Sequence, residues 1–226
     1  MIKRLKKIAK EKGFTIYTEP FKLNIWGFRA NTQVPNVFDD EMHVFTNISQ
    51  TKIAKWAYLV FKITTDPGTY WLKNPMNSQG TAILKAGQYL DAYKIDKHRN
   101  KYYALCQRLK KVTVIRDYDR DAVLDFNNGK EATGMFGINI HRALKTGSTY
   151  LVNKFSAGCQ VFKNAQDFDF FMKLCEVHKK IHGNKFTYTL VDKRMESRQK
   201  LKTITIGSIL ITLALGGYFF VTHKND

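Results

Sequence analysis

The sequence predicts an α+β domain made mostly of short β-strands, with an amphipathic helix at its start and a membrane-spanning helix at its end. Most apolar stretches are short, rich in β-branched and aromatic residues, and separated by turn-forming Asp, Pro and Gly. Only 203–222 is apolar over a length that suits one bilayer crossing. With 226 residues, 44% of them hydrophobic, the chain can bury a core.

The first twelve residues, Met1–Lys12, have a helical pattern. Ile2, Leu5 and Ile8 recur at helical spacing, and basic residues fill the other face. The pattern predicts a short helix that packs its apolar stripe on the domain. The alternative is a basic helix lying on a membrane surface. The segment lacks the apolar core of a secretory signal.

The central part of the chain carries a series of strand signals and two helix signals. Apolar residues of Asp167–His178, including Cys175, lie nearly all on one helical side, which predicts a helix. Lys101–Lys110 is predicted as a second helical stretch, which makes Cys106 a helix-packing residue. The predicted strands are Phe14–Tyr17, His43–Phe45, Trp56–Thr64, Thr81–Leu84, Gln88–Tyr93, Val112–Arg116, Gly137–Ile140 and Phe186–Val191.

The C-terminal segment Thr203–Thr222 contains no charged residue and is apolar on every helical face. This pattern predicts a transmembrane anchor, with a buried core helix as the alternative. Five Lys and Arg residues lie in the linker 193–202, whereas only Lys224 follows the segment. By the positive-inside rule, this bias places the domain on the cytoplasmic face, or on the equivalent face of a virion membrane.

The net charge of +18 indicates an anionic neighbour. Nucleic acid, an acidic membrane surface and an anionic wall polymer all fit, and charge alone does not choose among them. The three cysteines form no CxxC pair and no His/Cys cluster with metal-ligand spacing. A disulfide scaffold or a zinc site is therefore disfavoured, whereas one reactive thiol is allowed.

One combination of residues points to nucleophilic catalysis. His141 closes an apolar run and precedes the turn Ser156-Ala157-Gly158-Cys159 by fourteen residues. A thiol attacks as thiolate, and a nearby imidazole can take its proton, so we expect the pair to be in contact and the thiol pKa to be lowered. Gly158 permits a tight turn, in which the backbone N–H groups of Gly158 and Cys159 could hold an oxyanion.

These residues resemble the signature of the YkuD-type L,D-transpeptidase catalytic domain, in which a His precedes Ser/Thr-His-Gly-Cys by a similar spacing. The segment Thr64–Tyr70 (TTDPGTY) is similar to the family's Thr-Pro-x-Gly-x-Tyr segment. The likeness covers about Trp56 to Val191. This chain departs from the family in three places: Ala157 replaces the family's second His, Gln160-Val161-Phe162 replaces its Arg or Asn after Cys, and a basic stretch, Lys94–Lys130, is inserted.

The resemblance implies that Cys159 attacks a stem-peptide carbonyl of peptidoglycan and forms a thioacyl enzyme. It makes His141 the base and then the acid, and it makes Ser156 an orienting group for His141 or the oxyanion. It implies no metal and no organic cofactor. An amine acceptor would give cross-linking and water would give peptidase activity, in cell-wall remodelling or in lysis, including a phage-encoded lysin.

Four residues are candidates for substrate binding. Arg142 follows the base and could replace the positive charge that the family places after Cys. Arg116 could clamp a substrate or lie in a solvated loop. Tyr70 could contact a ligand or lie in the core, and His98 could line the cleft or lie on the surface.

The chain is thus divided into a basic, strand-rich extension at 1–55, an L,D-transpeptidase-like domain at 56–192, a linker at 193–202 and an anchor at 203–222. An enzyme acting on peptidoglycan is one hypothesis. A non-enzymatic, membrane-anchored basic module that binds nucleic acid or anionic lipid is the second. A membrane-bound cysteine peptidase or acyltransferase with another substrate is the third. The cytoplasmic orientation conflicts with a peptidoglycan substrate on the other side of the membrane.

Overall fold

The computed structural model describes residues 1–32, 34–51, 53–127 and 129–193. The predicted anchor at 203–222 and nearly all of the predicted linker lie outside these residues. No helix within the described ranges is long and apolar enough to cross a membrane. Residues Met1–Val191 fall into a single compact unit.

The described part of the chain is β-rich with few helices, as an α+β class requires. The helices are α1 (Ile2–Lys12), α2 (Thr69–Lys73) and α3 (Ala165–His182). The strands are β1 (Asn24–Arg29), β2 (Asp40–Asn47), β3 (Trp56–Thr64), β4 (Thr81–Leu84), β5 (Gly87–His98), β6 (Tyr102–Gln107), β7 (Val112–Asp117), β8 (Lys130–Gly134), β9 (Ile140–Arg142), β10 (Gln160–Phe162) and β11 (Phe186–Asp192).

Eight strands close into a barrel in the order β1-β11-β5-β6-β9-β10-β3-β2, and β4, β7 and β8 form a separate three-stranded sheet. The β9–β10 pair is parallel, whereas the neighbouring β3–β10 and β6–β9 pairs are antiparallel. Because β1 and β2 belong to the same barrel as β3, the predicted boundary between 1–55 and 56–192 is not a structural one.

Two helices cover apolar surface of the sheets. In α3, Phe168 and Phe171 pack on Phe162 of β10, with ring centroids 5.6 and 5.1 Å apart. The Asn164 side chain caps this helix by accepting from the backbone N–H of Gln166 and Asp167. In α1, Leu5, Ile8 and Ala9 are buried in a cluster with Trp26, Phe28 and Phe45. The prediction that this helix packs its stripe on the domain is therefore confirmed.

The predicted helix at Lys101–Lys110 is wrong. This segment contains β6, which pairs with β5 across the three-residue turn Arg99–Lys101. The turn residues Arg99 and Asn100 both have positive φ, at 50° and 58°, as a tight hairpin turn with the twist of its strands requires. Cys106 is buried as predicted, but on a strand.

The predicted strand at Phe14–Tyr17 is also absent. Side-chain amides take the place of a strand ladder there. Thr15 N donates to Gln88 Oε1 at 2.8 Å, and Tyr17 N donates to Asn24 Oδ1 at 2.8 Å. The backbone is therefore satisfied without a strand partner.

Candidate active site

The parallel pairing of β9 with β10 brings the two predicted catalytic residues to neighbouring strands. His141 lies opposite Val161, and Ile140 lies opposite Gln160. Cys159, which directly precedes β10, therefore lies beside Asn139, which directly precedes β9. Asn139 N donates to Cys159 Sγ at 3.4 Å. The Cys159 thiol is thus held by the backbone of Asn139, two residues before His141.

Hydrogen bonding fixes the orientation of the His141 ring. Its Nδ1 lies 2.9 Å from the carbonyl oxygen of Arg142, to which it donates, so Nε2 carries the lone pair. The Tyr102 hydroxyl lies 3.4 Å from the same Nδ1 and donates to Arg142 O at 3.3 Å. Burial, reinforced by His98, lowers the pKa of His141 to about 3. His141 is therefore a neutral base at pH 7.

His98, from the end of β5, stacks on His141. The ring centroids are 4.2 Å apart and the planes are inclined by 22°. His98 is only 8% exposed, so the surface interpretation is wrong. Its Nδ1 accepts from Asn139 Nδ2 at 3.0 Å, and burial lowers its pKa to about 4. Two neutral imidazoles thus lie face to face in the site.

Asn139 and Gln107 hold the segment that leads into β9. Asn139 Oδ1 accepts from Gln107 N at 2.9 Å. The buried Gln107 Oε1 accepts from three successive backbone N–H groups, those of Phe136, Gly137 and Ile138. This side chain replaces the ladder that a longer strand would supply, which is why β9 begins only at Ile140 rather than at Gly137. Neither residue was predicted to belong to the site, although a polar Asn within an apolar run was a usable signal in the sequence.

The thiol and the imidazole share a face but do not form a hydrogen bond with each other. Cys159 Sγ donates instead to Gly137 O at 3.5 Å. Burial chiefly raises the pKa of Tyr102, and Cys159 adds to the rise. The expected contact between the thiol and the imidazole is therefore absent, because both groups are hydrogen-bonded to other partners.

The pKa of the Cys159 thiol is raised, to about 11, because burial outweighs the hydrogen bond from Asn139 N. The expectation that the His141 pairing lowers this pKa is therefore wrong. The physical reason is that a neutral imidazole brings no positive charge to offset the loss of solvent. Cys159 is nevertheless partly exposed, whereas Cys106 and Cys175 are fully buried.

The turn before Cys159 is held by its own serine. Ser156 Oγ accepts from Gly158 N at 3.1 Å and donates to Cys159 O at 2.8 Å. Ser156 therefore shapes the turn, and it forms no hydrogen bond with His141. The N–H of Gly158 is occupied by this bond. Among the described residues, no acceptor is found for the N–H of Cys159.

Gly158 packs against a carbonyl group of the second sheet. Its φ is +113°, a conformation that favours glycine. A Cβ at this position would collide with the backbone oxygen of Ala82 in β4. The sheet of β4, β7 and β8 is thereby in direct contact with the nucleophile turn.

Arg142 and Tyr70 make different contacts. The Arg142 guanidinium stacks over Tyr102 at 4.5 Å and lies 3.4 Å from Asp169, in a groove of about 460 Å³ between β6 and α3. Tyr70 is 39% exposed, so its core interpretation is wrong. The Lys154 ammonium lies 4.1 Å above its ring, and the loop that carries Lys154 leads into the Ser156 turn.

Arg116 is buried on β7 and does not lie in a solvated loop. It lines a different cavity from Arg142. Among the described residues, no group of three or more His, Cys, Asp or Glu side chains could hold a metal ion.

No family model, curated protein or solved structure matches this chain. Function has therefore to be inferred from the chemistry of the thiol, the two imidazoles and the turn that positions them.

We expect alkylation of Cys159 to be slow at neutral pH and to accelerate about tenfold per pH unit up to the range of its raised pKa. At pH 7, a thiol with a pKa of about 11 is only about 0.01% thiolate, whereas an unperturbed thiol is about 3% thiolate. Iodoacetamide labelling followed by peptide mass mapping measures the rate at each cysteine. A plateau in the Cys159 rate near pH 7 would contradict the raised pKa, and Cys159→Ser should remove the labelled peptide.

Proposed function

We propose that the protein is a cysteine-dependent acyl-transfer enzyme that acts on peptidoglycan stem peptides as an L,D-transpeptidase or L,D-peptidase. The observation that supports this best is that the parallel pairing of β9 and β10 holds the Cys159 thiol on the backbone of Asn139, two residues before His141. The Cys159 N–H, for which no acceptor is found among the described residues, would serve as the oxyanion donor. Nucleophile, base and oxyanion donor are the three parts that acyl transfer requires. The resemblance of the His141–Cys159 spacing to the L,D-transpeptidase signature supports the substrate class.

The pKa values of the resting site constrain the first step. Because Cys159 and His141 are both neutral at pH 7, an ion pair does not form in advance. Sγ rotates from Gly137 O toward the imidazole, and its proton passes to His141 Nε2 as sulfur attacks the substrate carbonyl. The resulting oxyanion accepts from Cys159 N–H.

The second half of the reaction returns the proton. The imidazolium of His141 gives its proton to the leaving amine as the C–N bond breaks, which leaves a thioester on Cys159. Water or an amine acceptor then attacks the thioester, with His141 as base, and the thiol is regenerated. Water gives hydrolysis and an amine gives a new cross-link. The apolar segment 203–222 would anchor the enzyme to a membrane, and the basic surface would favour an anionic polymer.

The test is incubation of the full chain in detergent with a stem tetrapeptide, with and without an amine acceptor. We expect release of the terminal residue, and an acyl adduct on Cys159 in acid-quenched intact-mass spectra. Cys159→Ala should lose both signals, whereas the matched variant Cys106→Ala should retain the adduct. Absence of release, transfer and adduct with wild-type protein would exclude peptidoglycan stem peptides as substrates.

A further inference from the structure

Arg116 carries a buried positive charge without an acidic partner among the described residues. Its side chain makes one hydrogen bond there, from Nη1 to Gly80 O at 3.1 Å. Its Nε is buried and lacks an acceptor in the same part of the chain. The ring of Phe136 lies under the guanidinium at 4.8 Å. A ring face offsets only part of the cost of removing this charge from water.

Arg116 lines a cavity of about 620 Å³. The one acid in its lining, Glu131, lies 2.6 Å from Lys85. Asp117 follows Arg116 on β7 and therefore faces the opposite side of the strand, where its Oδ2 accepts from Asp125 N. Arg116 and Lys130 thus give the cavity a positive potential. The lining residues are Gln79, Arg116, Tyr118, Lys130, Glu131 and Ala132.

The sheet that carries Arg116 contacts the Ser156–Cys159 turn. Ala82 is the β4 partner of Arg116, and its carbonyl oxygen is the atom against which Gly158 packs. On the other side, Phe136 precedes Gly137, whose carbonyl oxygen accepts from the Cys159 thiol. Two short series of contacts thus connect Arg116 with Cys159. One runs through Ala82 and Gly158, and the other runs through Phe136 and Gly137.

We propose that this cavity binds a carboxylate of the substrate, with Arg116 as the principal cation and Lys130 at the rim. A carboxylate can take charge-assisted hydrogen bonds from a guanidinium, and it supplies the counter-charge that the described residues do not. The identity of the substrate rests on the proposed function, whereas the anion site does not. In a stem peptide, the carboxylate comes either from the diaminopimelate side chain or from the C-terminus of the leaving residue.

The first experiment tests the anion site without turnover. The full chain carrying Cys159→Ala and ¹⁵N-labelled arginine is titrated with acetate, and with acetamide as the neutral control of the same shape. We expect the Arg116 Nε–H resonance to shift saturably with acetate and not with acetamide. The resonance should remain unmoved by acetate at every concentration if the proposal is wrong.

Matched variants guard against an effect of misfolding. Because the Arg116 variants lack the Arg116 resonance, calorimetric titration with acetate measures binding in them and in the wild-type protein. Arg116→Gln should abolish acetate binding, and Arg116→Lys, which keeps the charge, should weaken it without loss of fold. Arg108→Gln removes an arginine that already lies 3.4 Å from Asp96, so it should leave binding unchanged. Equal acetate binding by folded wild-type and Arg116→Gln proteins would place the anion elsewhere.

The second experiment identifies the source of the carboxylate. The Cys159→Ala protein is titrated with a stem tetrapeptide, with its diaminopimelate side-chain amide and with its C-terminal amide. One of the two amides should bind at least about tenfold more weakly, and Arg116→Gln should erase that difference. Equal affinities of all three peptides would overturn the proposal. An acetate-induced shift without tetrapeptide binding would instead count against the proposed function.

Discussion

Gly158→Ala is expected to abolish activity and to lower the free energy of unfolding by at least about 3 kcal/mol. The added Cβ would collide with the carbonyl oxygen of Ala82. That oxygen cannot move easily, because β4 is paired along its length with β7. The turn would have to shift instead, and it carries the Cys159 N–H and the thiol with it.

Urea unfolding measures the loss of stability, and release of the terminal residue from a stem tetrapeptide measures activity. Gly147→Ala is the matched control, because Gly147 also has positive φ, at 71°, but open space around its Cβ position. It should cost only about 1 kcal/mol, the price of the left-handed conformation. Equal losses in the two variants would show that contact with Ala82 has no special role.

His98→Ala is expected to make activity sensitive to mild acid. In the wild-type protein, burial and the stacked His98 lower the pKa of His141 to about 3, so the neutral base is fully present at pH 5. Without His98, water enters beside His141 and the pKa rises toward that of a free imidazole. If the rise were complete, only about 3% of His141 would be neutral at pH 5, a loss of about thirtyfold relative to pH 8.

The dependence of kcat/KM on pH reports this change, because it follows the ionisation of the free enzyme. In the variant, the fall of kcat/KM on the acid side of the pH profile should begin at a higher pH. In the wild-type protein this fall should occur only below pH 5. His178→Ala is the control: His178 is buried and bonded to Leu23 N and Lys185 O, outside the site. It should lower stability without shifting this fall. An unchanged acid side of the profile in His98→Ala would mean that His98 does not tune the base.

The sequence predicted elements whose signals are local. Val112–Arg116 and Phe186–Val191 are strands with alternating or β-branched residues, and Asp167–His178 lies within a helix that has a one-sided apolar face. The helix predicted at Lys101–Lys110 was wrong because the pattern of this segment suits either a helix or a strand. Pairing with β5 decides in favour of the strand. Phe14–Tyr17 does not form the predicted strand, because the side chains of Gln88 and Asn24 accept hydrogen bonds from its backbone. No local sequence pattern predicts such hydrogen bonds.

In the candidate site, too, the features with a local sequence signal were predicted and those that depend on the fold were not. His141 and Cys159 were identified from spacing, and the register of β9 and β10 brings their strands together. His98 reaches the site from a hairpin whose position depends on the whole barrel. The residues around His98 in the sequence therefore do not predict that its ring stacks on His141. The raised pKa of the Cys159 thiol follows from burial, which the spacing of His141 and Cys159 in the sequence does not reveal.

The position of β11 between β1 and β5 in the barrel has a consequence for folding. Both neighbours precede β11 by many residues, so their hydrogen-bonding edges stay open on a growing chain until Phe186–Asp192 has been synthesised. Such late, long-range closure slows folding and exposes strand edges to other chains. We therefore expect pairing between incomplete chains to be favoured until β11 takes its place in the barrel.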